Sequence, residues 1–305
     1  MERKYIFIDP NITRKSKFME GQDPERVNKN DPPLFSWIEF NLSDLCNRTC
    51  SFCPRSNPNW PNTNKHLQIE VYEKVMSDLS KVGFKGNILY SAFSEPLLYR
   101  HLEEVIRLSK QYCPEVRIEM VTNGDFLTVE KLNKFFAAGL TQIGVSVYDG
   151  PDKVKRFEEM RDATGLSNEQ FSIRQRWFTP EKHFGITLSN RAGAKIMPDI
   201  GLVKLKSPLK RKCFYPFYQT LIDYDGAVVL CSHDWDKRLI LGNVKEKSIL
   251  EIWNSETLKR VRVKLAKADR DQIPCNSCDA NGMLMGGEFV GKWEDYYERQ
   301  EAIRK

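Results

Sequence analysis

The chain has 305 residues, 41% of them hydrophobic and 29% charged, with a formal net charge of +6. That apolar content can bury the cores of one large and one smaller domain, and the basic excess is too small for a dedicated nucleic-acid binder. The sequence has no run of about 18 apolar residues, so a membrane helix is not expected. The apolar stretch before Asp9 is too short for a signal peptide, so its 8 cysteines point to the reducing cytoplasm, where thiols bind metal or do redox work.

Residues 1–34 are polar and carry Pro10, Pro24, Pro32 and Pro33, which reads as an N-terminal extension or lid. From Phe35 the pattern changes. FSWIEFNL (35–42) predicts a strand, and a cysteine-rich loop follows it at once. That loop reads C-N-R-T-C-S-F-C, placing Cys46, Cys50 and Cys53 in a C-x3-C-x2-C run. Three thiolates on one short loop can hold three irons of a 4Fe-4S cluster and leave the fourth iron open to a small molecule. Zinc with a distant fourth ligand, or free buried thiols, fit the same spacing.

Strand and helix patterns then alternate. Strands are predicted at 87–93, 116–122, 141–148 and 170–178, and helices at 69–82, 102–112, 128–139 and 152–162. Such alternation means βαβ units and a parallel sheet, closed or partly closed into a barrel. GITLSN (185–190) is a sixth candidate strand, but residues 178–184 leave no room for a packed helix before it, so the last unit is expected to be truncated.

A second segment starts near residue 201. The basic run 203–212 reads as a solvated face and leads into Cys213. FYQTLIDYDGAVVL (217–230) predicts a hairpin around an Asp-Tyr-Asp-Gly turn, and one amphipathic helix is expected within 241–265. Cys213, Cys231, Cys275 and Cys278 supply four more thiols, enough for a tetrahedral zinc site or a cluster. Residues 284–305 read as a charged helical tail. Cys113 is expected to be an inert buried thiol, and Trp60, Trp177 and Trp235 to be packing residues.

The first cysteine run, with aromatic Phe52 before its last cysteine, resembles the signature loop of the radical S-adenosylmethionine (radical SAM) enzymes. Residues 35–200 would then be a partial (β/α)6-type barrel, truncated at its last unit. The second cysteine set resembles the twitch domain, a shortened relative of the SPASM domain, which holds one auxiliary 4Fe-4S cluster. The text I-D-Y-D-G (222–226), L-G-N-V (241–244) and S-I-L-E-I-W-N (248–254) supports that likeness, giving a small α+β domain over 201–283. The resemblance implies two 4Fe-4S clusters and S-adenosylmethionine (AdoMet) as cofactors.

In a parallel α/β sheet, ligands bind at the carboxyl ends of the strands. The resemblance places Ser94 and Glu95 of S-A-F-S-E-P at the AdoMet amino group, with Phe93 and Ser94 where glycines are usual. It places Asn123 of T-N-G and Ser146 of G-V-S-V-Y near the methionyl, ribose or carboxylate end. Arg174, Arg176 and Arg191 are candidate anion contacts, and Arg191 is the preferred substrate contact and catalytic candidate.

The cysteine pattern most resembles the scyllo-inosamine dehydrogenases, implying oxidation of a small carbohydrate-like or polyol alcohol. A flavodoxin or ferredoxin is the expected electron donor, with no membrane and no nucleic-acid partner. Modification of a peptide is the alternative within the family, and a zinc-binding interaction module is the alternative outside it.

Overall fold

The computed structural model describes residues 10–22 and 31–303. After helix α1 (Pro10–Glu20), strands and helices alternate: β1 (Trp37–Phe40), α2 (Ile69–Ser80), β2 (Asn87–Tyr90), α3 (Leu102–Tyr112), β3 (Arg117–Thr122), α4 (Val129–Ala138), β4 (Gln142–Val147), α5 (Asp152–Thr164) and β5 (Phe171–Gln175). The second segment adds α6 (Tyr215–Tyr218), β6 (Gln219–Ile222), β7 (Ala227–Val229), β8 (Ile240–Asn243), α7 (Ile249–Trp253), α8 (Glu256–Ala266) and α9 (Gly287–Ile303).

All these strands form one sheet in the order β5-β4-β3-β2-β1-β6-β7-β8. Strands β1 to β6 run parallel, and β7 and β8 return antiparallel. Period-two alternation sorts their side chains. Phe40 and Tyr90 face outward onto Tyr72 of α2. The neighbouring positions face inward and make columns that rise from floor to rim, such as Trp37–Glu39–Asn41 and Gln219–Leu221–Asp223. α3 and α4 each end where a helix should. Tyr112 is followed by Cys113 and Pro114, and Gly139 caps α4 in the left-handed conformation at φ +114°.

The structure corrects the sixth strand. GITLSN (185–190) forms no strand; a parallel partner needs a crossover of about a dozen residues, and the chain has too few here. Instead His183, Phe184 and Gly185 take positive φ and turn the chain sharply toward the strand ends. A Cβ on Gly185 would lie 2.5 Å from the Gln175 carbonyl oxygen, so the turn requires glycine. The sixth parallel strand is β6, paired with β1 on the other side of the sheet. One sheet therefore runs through both expected domains.

The hairpin forms as expected. The single helix expected within 241–265 is instead β8 and two helices, because Ser248 and Ser255 each cap a new start. The charged tail is one-sided: Phe289, Val290, Trp293 and Tyr297 are buried along α9, and Arg262 lies between the rings of Trp253 (4.1 Å) and Trp293 (3.5 Å). α1 is not a lid over the carboxyl ends of the strands. Phe18 packs edge-on against Trp37 at 5.8 Å and Met19 is buried in the main core, so α1 covers the strand starts. No described helix is long and apolar enough to cross a membrane.

Candidate active site and auxiliary cysteine site

The carboxyl ends of the strands surround a cavity of about 190 Å³. Cys46, Phe52, Ser94, Asn123, Ser146 and Arg191 lie on its wall, as do Cys50, Cys53 and Glu95. The structure thus brings together every residue expected at the first site.

Each is held by identifiable contacts. Arg48, inside the cysteine loop, donates to Asp125 (2.7 and 2.5 Å) beyond β3 and to Asp149 (2.8 and 2.7 Å) beyond β4. Asn123 donates to Asn47 of the same loop at 2.9 Å. Arg55 is buried and donates to the carbonyls of Phe93 (2.9 Å) and Asp44 (2.8 Å). The loop is therefore fastened at several points to the strand ends. Phe52 stacks on Tyr148, with ring centroids 5.8 Å apart.

Glu95 is 2% exposed and binds protein on both oxygens. It accepts from the backbone N–H groups of Leu97 (3.0 Å) and Asn123 (2.8 Å) and from the Thr122 hydroxyl (2.5 Å). Burial pushes its carboxyl up to about 7, against the lowering effect of those donors. The acid thus fastens β2 to β3 while lining the cavity. Ser94 donates to Asn41 at 2.6 Å, and Asn41 in turn donates to buried Asp223 of the I-D-Y-D-G segment at 2.6 Å. Arg174 donates to Ser146 at 3.2 Å. Phe93, standing where the family usually has glycine, is buried edge-on against Trp235 at 4.8 Å. Ala92 takes the left-handed backbone instead, at φ +78°.

The three thiols of the loop are crowded. Burial pushes Cys50 up to about 12, with Cys53 and Cys46 adding to the shift, and it raises both of those neighbours as well. A thiol cluster that resists ionisation alone is one that a metal, releasing the protons, would stabilise.

The second set converges as well. Cys213, Cys231, Cys275 and Cys278 line a separate cavity of about 20 Å³. Buried Arg270 fixes the two flanks, donating to the carbonyls of Arg211 (2.9 Å), Lys212, Ala280 and Asn281 (each 2.8 Å). Burial raises the Cys231 thiol well above its ordinary value, and the nearby Cys278, Cys275 and Cys213 raise it further. Four thiols drawn from separate segments onto one small cavity fit an iron–sulfur cluster with every protein position filled. A Cβ on Gly282 would come 2.7 Å from the Cys213 sulfur, so that approach needs glycine.

Residues 189–193 join the two sites. Arg191, Ala192 and Gly193 all have positive φ. The buried Asn190 side chain donates to the Ser277 carbonyl (2.8 Å), and Asp279 accepts from the Asn190 backbone (2.7 Å). Ser277 also donates to the Ala192 carbonyl at 2.7 Å. Arg191 lines the first cavity and Ala192 the second.

Sequence reading missed Arg48, Asp125, Asp149 and Arg55. The carboxylates just beyond two strand ends were the available signal. Trp60 and Trp235 pack together at 5.4 Å, as expected, although Trp235 also lines the cavity. Trp177 stacks on Phe178, and Cys113 is buried, its thiol pushed up to about 11 by burial.

Two family models match this chain: the radical SAM superfamily over residues 40–167, and SPASM, an iron–sulfur cluster-binding domain, over residues 213–279. The chain is a radical SAM enzyme with a C-terminal SPASM domain, and these domains bring AdoMet and two 4Fe-4S clusters to it. It is 27% identical over 247 residues to the S-adenosyl-L-methionine-dependent 2-deoxy-scyllo-inosamine dehydrogenase of Niallia circulans, covering 81% of this chain and 93% of that protein. The GTP 3',8-cyclase of Mycobacterium marinum is 26% identical over 68% of this chain and 54% of its own length. Among solved structures, BtrN in complex with AdoMet and 2-DOIA superposes with a TM-score of 0.70 at 25% identity, covering 84% of this chain and 98% of that one.

Proposed function

We propose that this enzyme oxidises a secondary alcohol of a small cyclic polyol or amino-polyol to a ketone. The observation that carries the proposal is the 191–192 loop, whose consecutive residues line the two cavities. The similarity to an inosamine dehydrogenase supports the substrate class. Cys46, Cys50 and Cys53 would hold one cluster with AdoMet beside it, which would supply one-electron reductive chemistry for hydrogen abstraction, and Cys213, Cys231, Cys275 and Cys278 would hold a second that would supply an electron acceptor.

The chain's residues then have separate tasks. Phe52, Ser94, Asn123 and Ser146 position AdoMet. Glu95 shapes the strand ends that receive its amino group, since its oxygens already hold Leu97, Thr122 and Asn123. Arg191 binds the substrate oxygen and orients the carbinol carbon. The aromatic wall of Phe93 and Trp235 keeps water from the reacting atoms. The net reaction would take two hydrogens from the carbinol with AdoMet as the oxidant, which ends as methionine and 5'-deoxyadenosine: one hydrogen would end in 5'-deoxyadenosine, and the other would leave as a proton while its electron is taken up at the Cys213, Cys231, Cys275 and Cys278 site.

A flavodoxin or ferredoxin in the cytoplasm fits as the electron donor, because seven thiol ligands need reducing conditions. The test is oxygen-free reconstitution followed by assay of a panel of cyclitols and aminocyclitols with AdoMet and reductant. We expect about eight irons per chain, slow 5'-deoxyadenosine release without substrate, and a ketone in equal amount with 5'-deoxyadenosine on the right substrate. Reconstitution with no AdoMet cleavage, or turnover of a peptide and of no polyol, would overturn the reading.

A further inference from the structure

Asn41 and Asp223 stand side by side where the paired strands β1 and β6 end, and both are buried. The Asn41 amide nitrogen donates to one Asp223 oxygen at 2.6 Å. The Asn41 side-chain oxygen accepts from the Ser94 hydroxyl (2.6 Å) and from the Phe93 backbone N–H (3.2 Å). A backbone N–H only donates and a carboxylate only accepts, so the two ends of this amide cannot be exchanged. The same Asp223 oxygen accepts from the Tyr224 backbone N–H at 2.9 Å, and the other is ion-paired with the Lys237 ammonium.

Lys237 comes from the loop between β7 and β8, beyond Cys231. Its backbone is left-handed at φ +52°, a state that non-glycine residues keep only when surrounding contacts enforce it. Buried Asp234 supplies those contacts, accepting from the N–H groups of Arg238 (3.1 Å) and Leu239 (2.9 Å). The Lys237 ammonium lies 4.9 Å from the Tyr224 ring centroid and 5.8 Å from that of Phe93. The C-terminal domain therefore reaches Phe93 and Ser94, which stand where the family usually has glycine, both through Asn41 and by a cation over a ring.

We propose that Lys237, Asp223 and Asn41 are positioning residues for AdoMet: this network sets the place of segment 93–95, so a buried ion pair of the C-terminal domain tunes AdoMet affinity. A segment of glycines is shaped by its backbone alone, whereas one with side chains must seat them. Here the Ser94 hydroxyl is seated on Asn41, and the Phe93 ring lies between Trp235 and Lys237. A buried carboxylate is tolerated when both oxygens are paired, and removing one partner disturbs the groups that remain. Burial raises the Asp223 carboxyl, and Lys237 is foremost among the groups that oppose the rise. Without Lys237 the carboxylate loses its charge partner, Asn41 loses a fixed acceptor, and Phe93 and Ser94 lose the contacts that seat them. The inference rests on the reading of segment 93–95 as the place of the AdoMet amino group, and it holds for any substrate.

The test uses the full-length chain with Lys237→Met, Lys237→Arg, Asp223→Asn and the double variant Lys237→Met with Asp223→Asn. Lys74→Met is the control: Lys74 of α2 ties the two segments elsewhere, donating to the carbonyls of Val244 (2.5 Å) and Lys247 (3.0 Å). Two quantities are read: the thermal midpoint of the cluster-free protein, and the AdoMet dissociation constant of the reconstituted protein by equilibrium dialysis without reductant. Lys237→Met should raise that constant about tenfold with iron content kept, and change 5'-deoxyadenosine release at saturating AdoMet less than about twofold. Lys237→Arg should recover most of the affinity. In the Asp223→Asn background Lys237→Met should change neither the constant nor the midpoint further. Lys74→Met should lower the midpoint and leave the constant alone. An unchanged constant in Lys237→Met, an equal rise in Lys74→Met, or additive effects in the double variant overturns the proposal. Ser94→Leu, which alters the segment directly, separates two failures. If it weakens AdoMet and Lys237→Met does not, the network is refuted and the segment reading stands. If neither weakens AdoMet, the segment reading falls and the proposal with it.

Discussion

The two cysteine sites use the same thiol chemistry in opposite settings. The first takes its thiols from one loop at the mouth of a cavity of about 190 Å³, lined by arginines, amides and hydroxyls. The second takes them from separate segments around about 20 Å³ of largely apolar space. A site with room and polar groups beside the metal ligands can bind and turn over a molecule. A closed site with four thiols can only exchange electrons. Their means of support differ as well. The first loop is tied by side-chain ion pairs such as Arg48 with Asp125 and Asp149, whereas Arg270 holds the second through backbone carbonyls.

Replacing cysteines is the strongest way to break this comparison. Changing Cys46, Cys50 and Cys53 together to alanine should remove about four irons and abolish 5'-deoxyadenosine release. Cys231→Ala should remove the other cluster, leave release measurable, and stop ketone formation. Iron analysis and product chromatography of the two proteins check this, and equal loss of release in both would erase the functional difference.

The supports predict a smaller effect. Arg48→Met leaves two carboxylates at the strand ends without their guanidinium, and should lower 5'-deoxyadenosine release about tenfold while the second cluster is kept. Arg48→Lys should rescue little, because an ammonium cannot span both carboxylates. Full activity in either variant would show that the loop is held by its backbone alone.

The smallest effect concerns acid stability. The Arg48 guanidinium holds the Asp149 carboxyl below the ordinary carboxylate range. A depressed folded-state value means stability present above about pH 4 and lost as pH falls further. Asp149 is 45% exposed, so its contribution should stay under about 1 kcal/mol. Thermal midpoints of the wild type and Asp149→Asn should differ slightly at pH 7 and converge near pH 3. A difference that persists in acid would assign the effect to packing.

Much of this was legible residue by residue. The βαβ alternation placed five strands and their helices to within a few residues, because period-two and period-3.6 patterns are local. That the candidate residues gather around one cavity was legible because they follow strand ends and those ends followed from the strands. The sixth strand was misplaced because GITLSN has strand composition, whereas pairing is decided by whether a crossover can reach. Only the fold showed that β6, some 180 residues from β1 in the chain, fills that place. Arg48 was overlooked because its aspartates lie 77 and 101 residues away. Residues 1–34 read as an extension or lid because a polar, proline-bearing stretch carries no local mark of the strand starts that Phe18 and Met19 cover.

The sequence by itself determined the chemistry of this protein: thiols at metal-ligand spacings, a parallel α/β scaffold and a hairpin before the last cysteines. These depend on side-chain identity and on spacings of a few residues. The tertiary structure decided which groups share a space. It set the two cysteine cavities on either side of the 191–192 loop, merged both segments into one sheet and packed α1 against the strand starts. Those relations depend on contacts between residues far apart in the chain, and they form only when burial of the common core brings them together.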